Sequence, residues 1–188
     1  MNQREFKSGV KVQSLWQVFN KKNHILGYHL FWNQFNSYLS QTQQGISQTE
    51  LGMGVNFDFG GFEFSGSGEA GTSSQGLPVF EQYRLGGEGS LAGYHFSELL
   101  GNSYFGWHIK IKTRLAQFDL GFLKHIDAKV FYDQMSVSQA LSTGLNQPLE
   151  GWGFGFEADS ISNFVAKMNF EFAQNNRSLV FFGFGNQF

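Results

Sequence analysis

Along most of this chain, large apolar residues recur at every second position. That is the period of a β-strand, whose successive side chains point to opposite faces. Leu51, Met53, Val55, Phe57 and Phe59 alternate with Gly52, Gly54, Asn56 and Asp58. Phe105, Trp107, Ile109, Ile111, Thr113 and Leu115 alternate with Gly106, His108, Lys110, Lys112 and Arg114. The pattern predicts seven strands, over residues 50–59, 62–71, 103–115, 125–137, 151–158, 163–173 and 177–188, and an eighth over His24–Leu39. Residues 5–19 read two ways: Val10, Val12, Trp16 and Val18 alternate with polar neighbours, while Val12, Leu15, Trp16 and Phe19 also form a helical stripe. The expectation is an all-β antiparallel fold with about eight membrane-crossing strands, and an extra strand or a helix over residues 1–20.

The strand lengths and the second face decide the surroundings. Runs of about 9–12 residues match the tilted strands of membrane barrels, whereas strands of soluble domains average about 5–6. Opposite the apolar face lie glycine and ionised groups. A membrane barrel turns its large apolar side chains out to lipid and its glycine and charge inward, and closure leaves no unpaired backbone in hydrocarbon. The alternative is a soluble barrel or sandwich with Phe inside. Mean hydropathy of −0.26 averages the two faces and so looks deceptively soluble.

Composition narrows the field further. The 188 residues are the size of one domain, taken here as 1–188. Twenty-three Phe and only 15% charged residues argue against disorder. The absence of Cys removes disulfides, thiolate metal sites and a Cys nucleophile. A net charge of −2 offers no field for a nucleic acid. Short links are expected at Asn20–Asn23, Gly60–Gly61, Asp159–Ser162 and Gln174–Asn176, with longer polar ones at Ser40–Thr49, Thr72–Asn102 and Ser138–Glu150. Outer-membrane barrels place short turns at one end and long loops at the other. Trp16, Trp32, Tyr104, Trp107, Tyr132, Trp152 and Phe188 near strand ends suit interfacial girdles.

Within the longest loop, Tyr83-Arg-Leu-Gly-Gly-Glu-Gly-Ser-Leu-Ala-Gly-Tyr94 resembles the loop signature of the superfamily of BamA-type assembly proteins and two-partner-secretion transporters. Its pattern is closest to the barrels of patatin-type autotransporters, which belong to the same group. The matching positions are Arg84, Leu85, Gly86 and Gly87, then Leu91, Ala92, Gly93 and Tyr94. The resemblance implies a loop folded back onto the inner wall, where Phe131 and Asp133 match the family's partner motif. The family's loop arginine is Ala92 here, so its charge pairing with an inner acid cannot form. Phe188 resembles the C-terminal signal for barrel insertion, and is equally a lipid-facing rim aromatic.

No catalytic pattern emerges. His24, His29, His95, His108 and His125 show no metal-ligand spacing, and no nucleophile elbow, phosphate loop or dinucleotide fingerprint is present. No enzyme, metal or cofactor is therefore expected. The inward Lys110, Lys112, Arg114 and Lys129 are expected to pair with Glu63, Glu69, Asp127, Asp133, Glu157 and Glu171 rather than to select anions. Gly52, Gly54, Gly153 and Gly155 are read as sites of curvature or close approach. The functional expectation is a non-enzymatic barrel of the bacterial outer membrane that assists insertion or passage of protein or lipid. Its expected partners are outer-membrane lipid and a client protein or another copy of the chain. The alternative is a self-associating or anchoring barrel, including a homodimer completing a sixteen-stranded wall, without transport of its own.

Overall fold

A computed structural model describes residues 6–21, 24–39, 44–73, 79, 82–87, 89–118, 122–138, 147–160 and 164–186. The strands in chain order are β1 (Phe6–Lys21), β2 (His24–Leu39), β3 (Gln44–Phe59), β4 (Phe62–Ser73), β5 (Tyr83–Leu85), β6 (Leu99–Gly101), β7 (Ser103–Gln117), β8 (Leu123–Ser138), β9 (Leu149–Ser160), β10 (Phe164–Ala173) and β11 (Ser178–Asn186). Nine of them form one sheet in the order β1-β2-β3-β4-β7-β8-β9-β10-β11, and every pairing is antiparallel. β5 and β6 make a separate two-stranded ladder inside the long insertion. Among the described residues the large sheet is open, with β1 and β11 each paired on one side only.

The eight strands from His24 onward match the alternation. Residues 6–21 resolve as a strand, which brings the sheet to nine. Its ladder with β2 runs from Phe6↔Tyr38 to Lys21↔His24, and this long-range pairing outweighs the local helical stripe. One link is corrected: β3 already begins at Gln44 and is paired with Leu39, so much of the expected loop Ser40–Thr49 is strand. A second correction concerns the ends. Strands alternate in direction, so Gln174–Asn176, though short, lies at the end that carries the long insertion. We call that end the loop end and the other, with Gly60–Gly61, the turn end.

The two faces of the sheet differ completely. One is bare and apolar: Leu30, Met53, Phe57, Val130, Trp152, Phe156, Phe182 and Phe184 are all exposed on it. The other carries the insertion and the charges. At the loop end of this second face, Tyr83, Leu85, Leu91, Tyr94, Tyr104, Met135, Val137 and Ala173 form the buried cluster. Phe188 and the side chain of Trp16 lie outside the described residues.

Candidate functional site

The site is the contact between the insertion and the wall. Its base is Tyr83, whose hydroxyl lies 2.9 Å from the Thr72 carbonyl and 3.1 Å from that of Thr49 and donates to this pair. The Tyr83 ring meets Tyr104 edge-on at 4.9 Å, and burial pushes the phenol well above its ordinary range. Beyond β5 the chain turns through Gly86 and Gly87, with Gly86 N–H donating to Ser90 Oγ at 3.1 Å and Gly87 bridged to Leu91. Leu91 and Ala92 are 0% and 1% exposed.

Two acids of the wall hold the tip by its backbone. Ala92 N–H donates to Asp133 Oδ2 at 2.9 Å, and Gly93 N–H donates to Glu171 Oε2 at 3.1 Å. A carboxylate accepting a backbone N–H makes a strong, charge-assisted bond, and here both bonds are buried. The resemblance implied Asp133 as an inner-wall partner of the loop, without the family's charge pairing because position 92 is Ala. The wall acid binds the main chain of that same residue instead.

Absent side chains set the fit. A Cβ on Gly151 would collide with the Ala92 carbonyl, and one on Gly93 would strike the backbone of Phe172 and Ala173. Gly93 also sits at φ 78°, in the left-handed region. Beyond the tip, Arg177, in the β10–β11 turn, pairs with Glu98 and lies 5.9 Å from the Tyr94 ring centre. The Arg177 hydrogen bond, then that of the His95 N–H, holds the Glu98 carboxyl below the usual range. Of the other motif residues, Arg84 is exposed on β5 opposite Leu100, and the Phe131 ring lies over Gly153. Other rings follow that pattern, Phe31 over Gly52 and His29 over Gly54, while Gly155 faces Asn169. These glycines admit rings and side chains from neighbouring strands, and the loop itself approaches at Gly151.

Toward the turn end the same face carries charge. Lys112 opposes Lys129 across β7–β8, and Asp127 opposes Glu157 across β8–β9, arrangements that repel when directly opposite. Opposite-sign contacts relieve them: Lys129 Nζ to Glu157 Oε1 at 2.6 Å, and Lys112 Nζ to Glu63, directly opposite it on β4, at 3.0 Å and to Asp127 and Glu157 at 3.7 and 3.8 Å. Lys110 meets Glu63 at 3.3 Å and Arg114 meets Asp127 at 3.5 Å. His108 lies between Asp133 (3.1 Å) and Glu69 (3.6 Å), and His125 between Asp159 (2.8 Å) and Asp127 (3.4 Å). The four inward cations are therefore paired as expected, with Glu63, Asp127 and Glu157, while of the other expected acids Glu69 and Asp133 meet His108 and Glu171 meets the loop backbone.

Between loop tip and charges lies a cavity of about 370 Å³, bordered by Ala92, His108, Lys129, Asp133, Glu157 and Glu171. Among the described residues, no group of His, Asp and Glu is placed to hold a metal ion. Sequence reasoning had not found Glu171 as a loop anchor, Gly151 as the seat of the tip, or the Glu98–Arg177 clip. The only signal for Glu171 was its inward parity on β10. No protein-family model matches the chain, and no curated protein matches it.

Proposed function

We propose that the chain is the wall of a transmembrane β-barrel of the bacterial outer membrane, related to the assembly and secretion superfamily that its loop resembles. In this reading it is not an enzyme: it assists insertion or passage of protein or lipid across that membrane. One observation carries the membrane assignment. From β2 to β11 the bare face is a largely apolar surface, with Thr113 on β7 a polar position within it, while the opposite face is charged, paired and covered by a loop. Monomeric soluble proteins rarely leave more than a few hundred Å² of contiguous apolar surface bare. Placing that face in water and the ion pairs in an interior would reverse both preferences. The pinned loop fits a wall whose shape is braced from within.

Two experiments test this. The purified chain should migrate differently on gels before and after boiling, and it should require detergent to stay dispersed. Vesicles containing it should speed the folding of a urea-denatured outer-membrane barrel over empty vesicles. Equal rates would overturn the assisting role. A second reading, the self-associating barrel, is favoured by the two edges β1 and β11, which a bilayer cannot leave unpaired. It requires a detergent-corrected mass of twice 21.2 kDa.

A further inference from the structure

The bond that seats the loop tip continues into the wall. Asp133 is buried, and its two oxygens face different partners. Oδ2 accepts the Ala92 N–H at 2.9 Å, while Oδ1 lies 3.1 Å from His108 Nδ1 on the neighbouring strand β7. His108 turns its other ring nitrogen, Nε2, to Glu69 Oε1 on β4 at 3.6 Å. Loop backbone, β8, β7 and β4 are thus joined in one line through Ala92, Asp133, His108 and Glu69.

The place of the ring decides its proton count. A neutral imidazole has one N–H and one bare lone pair, and only the imidazolium donates from both nitrogens. Between two carboxylates a neutral ring would aim its lone pair at one of them. His108 Nε2 is buried and has no hydrogen-bond partner among the described residues, so no donor satisfies a lone pair there. His125 is the contrast. It also meets two acids, Asp159 at 2.8 Å and Asp127 at 3.4 Å, but both through Nε2, so a single N–H serves both and the neutral ring suffices.

The surrounding charges agree. Among the described residues, His108 is the one cationic side chain within ion-pair distance of Asp133 or of Glu69. Lys110, the next inward residue on β7, is turned to Glu63 at 3.3 Å. Across the cavity His108 faces His29 on β2, Lys129 on β8, Glu157 on β9 and Glu171 on β10. Lys129 is bonded to Glu157 at 2.6 Å, and Glu171 accepts the Gly93 N–H. A buried carboxylate is costly without a counter-ion, and for Asp133 that counter-ion is His108.

We infer that doubly protonated His108 is a latch for the insertion: it holds the Asp133 carboxylate in place for the Ala92 N–H, and the tip loosens from the wall when the ring sheds its second proton. Linkage fixes the sign. The seated loop favours the charged ring, so the hold is complete at the acid end of the histidine range and is given up as pH rises. Ala92 borders the cavity, so departure of the tip opens that space. The latch depends on the loop–wall contact alone, and its failure leaves the membrane reading standing.

The test uses the full chain in detergent micelles with isotope-labelled histidine, its ring signals assigned with His108→Gln and His125→Gln. At about pH 7 both His108 nitrogens should carry protons. Toward about pH 10 one proton should leave. Proteinase K cleavage between residues 86 and 94, measured against an unstructured peptide, should rise roughly tenfold in step, as charge assistance at Asp133 is lost. His108→Gln, which keeps a donor without the charge, and Asp133→Asn should both cleave at the raised rate throughout and show no further rise. A bare His108 nitrogen at neutral pH, cleavage that does not follow the titration of the ring, or a wild-type rate in His108→Gln overturns the latch. If both variants fail to fold, the titration of the unsubstituted chain decides alone.

Discussion

The loop-bearing face solves the burial of polar groups in two ways at its two ends. At the loop end, two carboxylates meet the backbone of a single segment, and the fit depends on side chains that are missing at Gly93 and Gly151. At the turn end, lysines and carboxylates form a net in which Lys112 alone approaches three acids. The first arrangement is specific: each carboxylate meets one backbone N–H of the tip. The second is redundant. Substitutions should therefore be felt very differently at the two ends, although both are buried on one face of one sheet.

Gly151→Val should produce the largest effect. Its side chain would occupy the position of the Ala92 carbonyl, so the tip must leave the wall, and Asp133 and Glu171 lose their bonds to the loop together. Overpacking and the loss of two buried, charge-assisted bonds make a loss of about 3 kcal/mol or more. Urea unfolding in micelles reads the loss, and protease cleavage between residues 86 and 94 reads the release. An unchanged midpoint with an uncut loop would contradict this account of the tip.

Lys129→Met should come next, at about 2 kcal/mol. The buried ammonium is lost from Glu157, but Lys112 at 3.8 Å remains to offset part of the charge, so the cost is below that of breaking an isolated buried pair. Removing both partners, Lys129→Met with Glu157→Leu, should restore most of the midpoint. If the single variant is as damaging as Gly151→Val, the net is not redundant and the contrast fails. Smaller still is Asp133→Asn, about 1 kcal/mol, because the amide oxygen keeps the geometry and gives up only the charge. Hydrogen exchange at Ala92 N–H is its direct reading, and the Gly93 amide on Glu171 is the internal control.

How much of this was legible in the sequence depends on where partners sit along the chain. The strands from His24 onward were legible because alternation is a local signal, sustained by most large apolar residues from Leu26 to Phe184. It weakens where strands pass beyond the apolar band. Over Gln44–Thr49 both faces are polar or small apart from Ile46, so the start of β3 read as a loop. The pairing of inward charges was also legible, since parity puts opposite signs on one face. Loop anchors were not, because Gly93 and Glu171 are 78 positions apart and meet only through the register of the four intervening strands. Nothing local distinguishes Glu171 from Glu63, which binds lysines. The resemblance of the loop drew attention to position 92 as a missing charge, whereas the bond is made by a backbone group that every non-proline residue carries.

The smallest predicted effect concerns the clip at the rim, and it separates the two kinds of contact most finely. Glu98 is bonded to Arg177 and accepts the His95 N–H at 2.8 Å, and these bonds hold its carboxyl below the usual range. A carboxyl lowered in the folded state stabilises it at pH above the unfolded value, about 4.3, and that contribution disappears as pH falls through the folded value. The pair is at the exposed rim, so salt screens it and the global midpoint should hardly move. The effect belongs to local opening. Below about pH 4 the His95 amide should lose protection relative to its intrinsic exchange rate. Glu98→Gln should give the same reduced protection at neutral pH and remove the dependence on acid. Should His95 and Ala92 lose protection together in that variant, the clip and the tip form one cooperative unit, and the Glu98–Arg177 pair is part of what keeps the loop on the wall.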